Sequence, residues 1–273
     1  MLNDALIDEF FRTGILRLPR ALAGDQVQRM QAHLWDFLRA ARGIRQEDRA
    51  TWPVGGVSGF QALSRTPAFA ALACPLLAAA CDRILGSGRW SWPKTSAMPL
   101  VTFLQPGEWR LPHAAWHLDF APRQAAVLPG LRVLAFLAPV APQGGGTAVV
   151  EGSHRLVERC LAHDADLAHS SAVRRTFARR YAWFRELWSP DGAAEERRAR
   201  FLSPSNSRGS AQEIDGVTVH VLELIGDPGD VVIMHPWTLH AATPNACRSP
   251  RIMLSWSVAS QPPSGHPRID QLP

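Results

Sequence analysis

Apolar residues at Val27, Met30, Leu34 and Leu38 recur at helical spacing, so the stretch after Asp25 is predicted to be a helix with one buried face. Asp25 is its expected cap. An earlier helix is predicted from the capping residue Asn3 to Arg12, with Gly14 ending it, and Ile15 to Leu18 follows as a short strand. Residues 43–60 carry Pro53, Gly55, Gly56 and Gly59 and read as loop. Thr66-Pro67 opens a further helix as cap and first-turn proline. Pro75 is expected to break or kink it, and Gly86 and Gly88 to close it. Beyond Trp90 the pattern changes to short apolar runs punctuated by Pro and Gly. Strands are predicted at Met98 to Leu104, Ala115 to Phe120, Leu131 to Leu137, Thr147 to Val150, Val217 to Leu224, Asp230 to Met234 and Arg251 to Val258. Strands at this spacing point to a β-barrel or sandwich. Residues 155–212 interrupt them. This stretch is charged and helix-prone, then loop-like from Ser203 to Ser210, and is expected to cover the barrel mouth. The whole chain, 1–273, reads as one domain: 1–90 a mainly helical support, 91–260 a β core, and about 155–212 an insertion within it.

Composition narrows the class. The chain is 46% hydrophobic and 19% charged, enough apolar residue for a substantial core, and no run is long and apolar enough to span a bilayer. Asp4, Asp8 and Glu9 with no leading basic cluster argue against a secretory signal, so a cytoplasmic protein is expected. Cys74, Cys81, Cys160 and Cys247 have no CxxC spacing and read as reduced thiols. The net charge is +5, and nearly all the basic charge is arginine; Lys94 is the only lysine. Codon bias accounts for that composition; a surface that attracts anionic substrates is the sharper reading. Arg174, Arg175, Arg179 and Arg180 beside Tyr181, Trp183 and Phe184 come nearest to a nucleic-acid stripe, but they read equally well as the solvated face of an amphipathic helix. No nucleic-acid or membrane partner is expected.

Candidate chemistry lies at His117, Asp119 and His240. On a strand, His117 and Asp119 would project from one face while Leu118 faces away. Two imidazoles and one carboxylate take one face of an octahedral metal and leave the remaining positions open, the ligand set of non-haem iron oxygenases. A lone His-x-Asp triplet is common; His240, near a strand end before Thr243-Pro244-Asn245, supplies the support. His113 and His235 compete for the role. His113 has no carboxylate two residues on, and His235 precedes a proline, so both are assigned structural or supporting roles. Arg251 begins the last strong strand and shares a face with Met253, Ser255 and Ser257. Ile252, Leu254, Trp256 and Val258 form the opposite face and are expected to pack outward, against helices or the second sheet. A guanidinium holds a carboxylate through two parallel hydrogen bonds, so Arg251 suits a dicarboxylic cosubstrate.

These segments resemble the phytanoyl-CoA dioxygenase family of iron- and 2-oxoglutarate-dependent oxygenases, over about Leu6 to Val258. The resemblance begins with Phe10-Phe11-Arg12-Thr13-Gly14-Ile15-Leu16-Arg17-Leu18 and continues with Trp116-His117-Leu118-Asp119. Gly145-Gly146-Thr147-Ala148-Val149-Val150-Glu151-Gly152-Ser153-His154-Arg155 is similar to the family's Pro-Gly-Ser-His segment, with Glu151 in the proline's place. It ends with Gly229-Asp230, His235-Pro236, Leu239-His240, Pro244-Asn245 and Arg251, the arginine eleven residues after the histidine (251 − 240 = 11). The resemblance implies a mainly β fold with flanking helices, a double-stranded β-helix (jelly roll, cupin-like). It implies His117, Asp119 and His240 as Fe(II) ligands, Arg251 on the distal carboxylate of 2-oxoglutarate, and Gln105 as a further polar cosubstrate contact. Ser153, His154 and Arg155 would shape a turn. Ala242 stands where relatives often carry a small hydroxyl residue. The implied reaction consumes O2 and releases succinate and CO2 while hydroxylating an unactivated C–H bond. Asp119 favours hydroxylation over halogenation, because related halogenases carry a small residue there. Desaturation, epoxidation and cyclisation stay open.

The implied substrate is a small molecule of secondary metabolism, anionic or carrier-tethered. Trp116, Phe120, Trp237 and the Trp183–Trp188 region are pocket candidates, although most such tryptophans belong to cores. Two other readings stand beside the oxygenase: a metal-binding β-helix protein with non-redox chemistry, which has no use for Arg251, and a binding homologue without catalysis.

Overall fold

The computed structural model describes residues 2–70, 74–92, 97–123, 127–163, 167, 169–191, 196, 199–202 and 208–261. Lys94 and most of the Ser203–Ser210 loop fall outside them. The principal helices are α1 (Asp4–Thr13), α2 (Gly24–Arg42), α3 (Pro75–Leu85), α4 (Ser153–Leu161), α5 (Ser170–Arg180) and α6 (Ala182–Trp188). The principal strands are β1 (Ile15–Leu18), β2 (Met98–Thr102), β3 (Gly130–Phe136), β4 (Thr147–Glu151), β5 (Val217–Glu223), β6 (Val231–Met234), β7 (His240–Ala242) and β8 (Arg251–Ser260).

Two antiparallel sheets face each other. The larger runs β1-β6-β3-β8-β2 and is extended by the two-residue strands Gly56–Val57 and Trp90–Ser91. The smaller runs β7-β4-β5 and is extended by Gln212–Ile214. Strand alternation sorts the side chains into three apolar layers. Between the sheets lie Ile15, Leu134, Phe136, Val149, Leu222, Val232, Met234 and Met253. On the outer face of the large sheet, Leu131, Val133, Ala135, Ile233, Ile252, Leu254, Trp256 and Val258 meet the helical stripe of α2 and the apolar faces of α1 and α3. The outward packing expected for the even-numbered face of β8 is therefore found. Val27, Met30, Leu34 and Leu38 are all buried, and each such side chain contributes on the order of 2 kcal/mol by leaving water.

Several boundaries differ from the sequence pattern. Asp25 does not cap α2: the cap position is Ala23, and Asp25 lies in the first turn, bonded to Arg29 at 2.6 Å. That placement still sets a carboxylate against the positive end of the helix. Of the two outcomes expected at Pro75, the break is the one found: Cys74 before it is extended, and a separate helix begins at Pro75. It starts α3 within the first turn, where its missing N–H costs no hydrogen bond, and the Cys74 thiol accepts from Leu77 N–H. Ala115–Phe120 is not a strand; only His117 makes an isolated bridge, to His240. The helices of the 155–212 segment pack on the outer face of the small sheet, where Leu156, Val157, Val173, Phe177, Phe184 and Leu187 cover Ala148, Val150, Val219 and Val221. An exposed apolar sheet face demands such a layer, and periodicity alone does not say which surface a helix will cover. Trp116, Trp188 and Trp237 are buried in this layer, with Phe120 and Trp183 packed against it.

Gly14 ties the helical end of the chain to the strand that carries His240. It caps α1 with φ +84, and a Cβ there would run into Thr238 Oγ1 and His154 Nδ1. Its carbonyl accepts from His235 N–H (2.8 Å) and Thr238 Oγ1 (3.1 Å), which holds the turn just before β7.

Candidate metal centre

His117 and His240 form a reciprocal backbone pair, with N–H to carbonyl distances of 2.9 and 3.1 Å, so the segment carrying His117 extends the small sheet beyond β7. Their rings stand 4.2 Å apart. Each imidazole is oriented by the same local device. His117 Nδ1 donates to the Ala115 carbonyl at 2.8 Å, and His240 Nδ1 donates to the Thr238 carbonyl at 2.9 Å. A carbonyl only accepts, so the proton sits on Nδ1 and each Nε2 presents a lone pair. Ala115 achieves this with a left-handed backbone, φ +63.

Asp119 completes the cluster: one ligand atom from each of His117, Asp119 and His240 lies within 4.8 Å of the others. His240 Nε2 approaches Asp119 Oδ2 at 3.2 Å. Two electron-rich atoms meet there without a shared proton on the neutral imidazole, and a cation between them makes the arrangement favourable. The donor set and orientation therefore suit a divalent metal, the carbonyl contacts serving as the outer partners that metal-bound imidazoles need. Burial alone would raise the pKa of the Asp119 carboxyl. The Arg132 guanidinium, hydrogen-bonded to both oxygens, works against it, and the group is held well below the usual carboxylate range. Asp119 is nearly buried, whereas His117 is exposed, so the cluster opens towards solvent on the His117 side.

Arg251 lies on β8 of the large sheet, on the face that carries Met253 into the layer between the sheets. It is 7% exposed, its Nε has no hydrogen-bond partner among the described residues, and burial pushes its pKa down to about 10. A buried guanidinium with no carboxylate beside it is costly unless an anion joins it. Met253, the next residue along this face of β8, lies in the apolar layer between the sheets together with Leu134 and Phe136.

The remaining candidates lie apart from the cluster. Gln105 faces the Asn245 turn: its side-chain oxygen accepts from Asn245 N–H at 3.1 Å and its own N–H donates to the Asn245 carbonyl at 2.7 Å. His113 is exposed. His235 is buried and stacks on His154 at 4.4 Å, and His154 Nε2 donates to the Phe11 carbonyl at 2.9 Å. Ser153 at the start of α4 bonds Val150 O and Leu239 N–H, so this stretch does brace the turn before β7. Glu151, buried at the end of β4, is paired with His220 and Arg208.

The sequence pattern does not single out one residue that the structure brings to the cluster. Arg132 on β3 grips both oxygens of Asp119: Nε donates to Oδ2 at 2.6 Å and Nη2 to Oδ1. Its Nη1 donates to Ser255 Oγ at 3.2 Å. The available signal was a single charge inside the apolar run Leu131–Leu137, on the face shared by Leu134 and Phe136.

The fold has known counterparts. The chain aligns over 97% of its length with the epimerase SnoN in complex with Fe3+, alpha ketoglutarate and nogalamycin RO, covering 91% of that chain at 18% identity and a TM-score of 0.55. It is similar to the non-heme alpha ketoglutarate dependent carbocyclase SnoK from nogalamycin biosynthesis, with 95% of this chain and 84% of that one covered, 18% identity and a TM-score of 0.54. HygX from Streptomyces hygroscopicus, with nickel, 2-oxoglutarate and hygromycin B bound, matches at 15% identity, 94% and 87% coverage and a TM-score of 0.52. At these identities the likeness establishes a shared fold, the double-stranded β-helix. No curated protein matches the sequence. The family model for phytanoyl-CoA dioxygenase matches residues 10–253, and the chain belongs to that family.

Proposed function

We propose that this protein is an Fe(II)- and 2-oxoglutarate-dependent dioxygenase that hydroxylates an unactivated C–H bond of a small molecule. The observation that carries this reading is the convergence of His117, Asp119 and His240, with both Nε2 lone pairs freed by backbone carbonyls. These three residues would hold the iron. Bound there with 2-oxoglutarate, the metal supplies O2 activation coupled to oxidative decarboxylation, which yields succinate and CO2.

The protein's own contribution is positional. Arg251 takes the distal carboxylate through its buried guanidinium and so fixes the far end of the cosubstrate. Leu134, Phe136 and Met253 keep water from the path between Arg251 and the cluster. His117, the most exposed ligand, marks the side from which substrate approaches. Gln105 fixes the Asn245 turn, and from there it is assigned a supporting polar role at the cosubstrate end. The substrate we propose is a natural-product-like small molecule, anionic or carrier-tethered. The bound compounds of the structurally similar SnoN and HygX support the small-molecule class.

The test is anaerobic titration of the metal-free protein with Fe(II) and then 2-oxoglutarate, followed by visible absorbance. A weak charge-transfer band that needs both additions is expected, followed by O2-dependent succinate release in a substrate screen. Bound iron without that band would remove the oxygenase reading. Product analysis by mass decides the outcome of the reaction: gain of one oxygen supports hydroxylation. Products epimerised or cyclised without added oxygen would overturn that part alone.

A further inference from the structure

Arg132 and Asp119 belong to different sheets. Asp119 follows the His117 bridge on the small-sheet side, whereas Arg132 stands on β3 of the large sheet, opposite Ser257 and hydrogen-bonded to Ser255. The fork is a poor candidate for an ordinary surface pair. The Asp119 side chain is 9% exposed and that of Arg132 23%, and the guanidinium is itself anchored by Ser255. Arg132 holds both carboxylate oxygens, Oδ2 through Nε at 2.6 Å and Oδ1 through Nη2. Only Oδ2 also faces His240 Nε2, at 3.2 Å, towards the cluster.

A carboxylate reaches a metal through one oxygen or two. A facial two-histidine, one-carboxylate set uses three of six positions and leaves three. A chelating keto acid occupies two of these, and O2 needs the last. If Asp119 used both oxygens, that last position would be lost. The fork spans both oxygens, and its Nη2 arm engages Oδ1, the oxygen turned away from His240, while Oδ2 stays aimed at the cluster; a planar guanidinium does this with fixed geometry where an ammonium does not.

We propose that Arg132 is a positioning residue that holds Asp119 as a one-oxygen metal ligand and thereby keeps a coordination position open. This rests on the His117–Asp119–His240 metal site proposed above. The same fork offsets the buried carboxylate when metal is absent, so the site is assembled before the ion arrives.

The experiment uses Co(II), whose visible bands report coordination number, with the full-length wild type and with Arg132→Met, Arg132→Lys, Arg132→Ala and His240→Ala. Wild type is expected to bind Co(II), and His240→Ala to bind far more weakly. Arg132→Met should lose about 10–100-fold in Co(II) affinity, the usual effect of removing a partner of a metal ligand. Its Co(II) spectrum should shift towards higher coordination number. Arg132→Lys keeps the charge but not the two-point grip, so its spectrum should resemble that of Arg132→Met. Added guanidinium should restore the wild-type spectrum to Arg132→Ala, a rescue that a general folding defect would not show. Any of these variants that melts like the metal-free wild type yet binds Co(II) with wild-type affinity and spectrum would overturn the proposal and leave the metal site standing. Equal Co(II) binding by wild type and His240→Ala would overturn the metal site itself.

Discussion

Arg251 buries a full charge: it is 7% exposed, its Nε has no hydrogen-bond partner among the described residues, and burial alone shifts its pKa. Such a residue lowers the stability of the protein on its own and contributes only when a ligand brings an anion. Two opposite effects therefore follow from Arg251→Met. Without cosubstrate the variant should melt at or above the wild-type temperature. Its affinity for 2-oxoglutarate should fall about 100-fold, consistent with roughly 3 kcal/mol for charge-assisted hydrogen bonds to a buried carboxylate, while metal affinity stays the same. Differential scanning fluorimetry and calorimetric titration read the two quantities separately, and a variant less stable than wild type with unchanged cosubstrate binding would show that Arg251 is structural. At this scale the sequence was legible where residue type and spacing carry chemistry: His117, Asp119 and His240 come together, and Arg251 is buried on the strand face it shares with Met253. Arg132 was not, because 28 of the 29 basic residues are arginines (29 − 1 lysine) and a strand arginine is by default a surface residue. Nor does sequence show that two backbone carbonyls, at Ala115 and Thr238, set the imidazole tautomers.

At the scale of elements, α1, α4 and the turn before β7 meet around two histidines that the proposed chemistry does not use. His154 and His235 stack at 4.4 Å, and burial lowers both pKa values, that of His154 to about 4. In the unfolded chain a histidine titrates near 6.5. The folded state thus resists a proton that the unfolded state accepts. Stability is complete above about pH 6.5 and falls as the pH drops towards 4, by on the order of 3 kcal/mol for His154 alone. Urea midpoints of the metal-free protein should decline across this window. His154→Gln, which keeps a donor for the Phe11 carbonyl, should flatten the decline; an unchanged slope would assign the acid sensitivity to other groups. This junction also shows where element reading succeeds. Asn3, Gly14 and the short strand after it were legible because capping and chain reversal are local. The strand expected at Ala115–Phe120 was not, since its only pairing partner, His240, is more than a hundred residues away and the ladder consists of one bridge. The departure at Asp25 is a shift within a helix's first turn, which composition does not resolve.

Taken as a whole molecule, the site is a junction between the two sheets. His240 and His117 belong to the small sheet, Arg251 and Arg132 to the large one, and Asp119 is held across the gap. The alternation of strands made this two-layer plan legible, because each strand's apolar face had to be buried against something. It did not reveal that α4–α6 cover the small sheet's outer face, since a helix's apolar stripe names no partner. A metal held by the small-sheet histidines and a dicarboxylate spanning from it to Arg251 would fasten the sheets together. Ligands that bind only the folded state stabilise it by about 2.7 kcal/mol at a hundred times their dissociation constant. For a domain of this size that corresponds to roughly 5–10 °C in melting temperature. Mn(II), a redox-silent stand-in for Fe(II), should raise the melting temperature of the wild type, and 2-oxoglutarate should raise it further only when metal is present. In Arg251→Met the metal increment should survive and the 2-oxoglutarate increment should vanish. Equal stabilisation by 2-oxoglutarate with and without metal would mean that the dicarboxylate does not bridge the cluster to Arg251, and the two-sheet junction would then be a feature of packing alone.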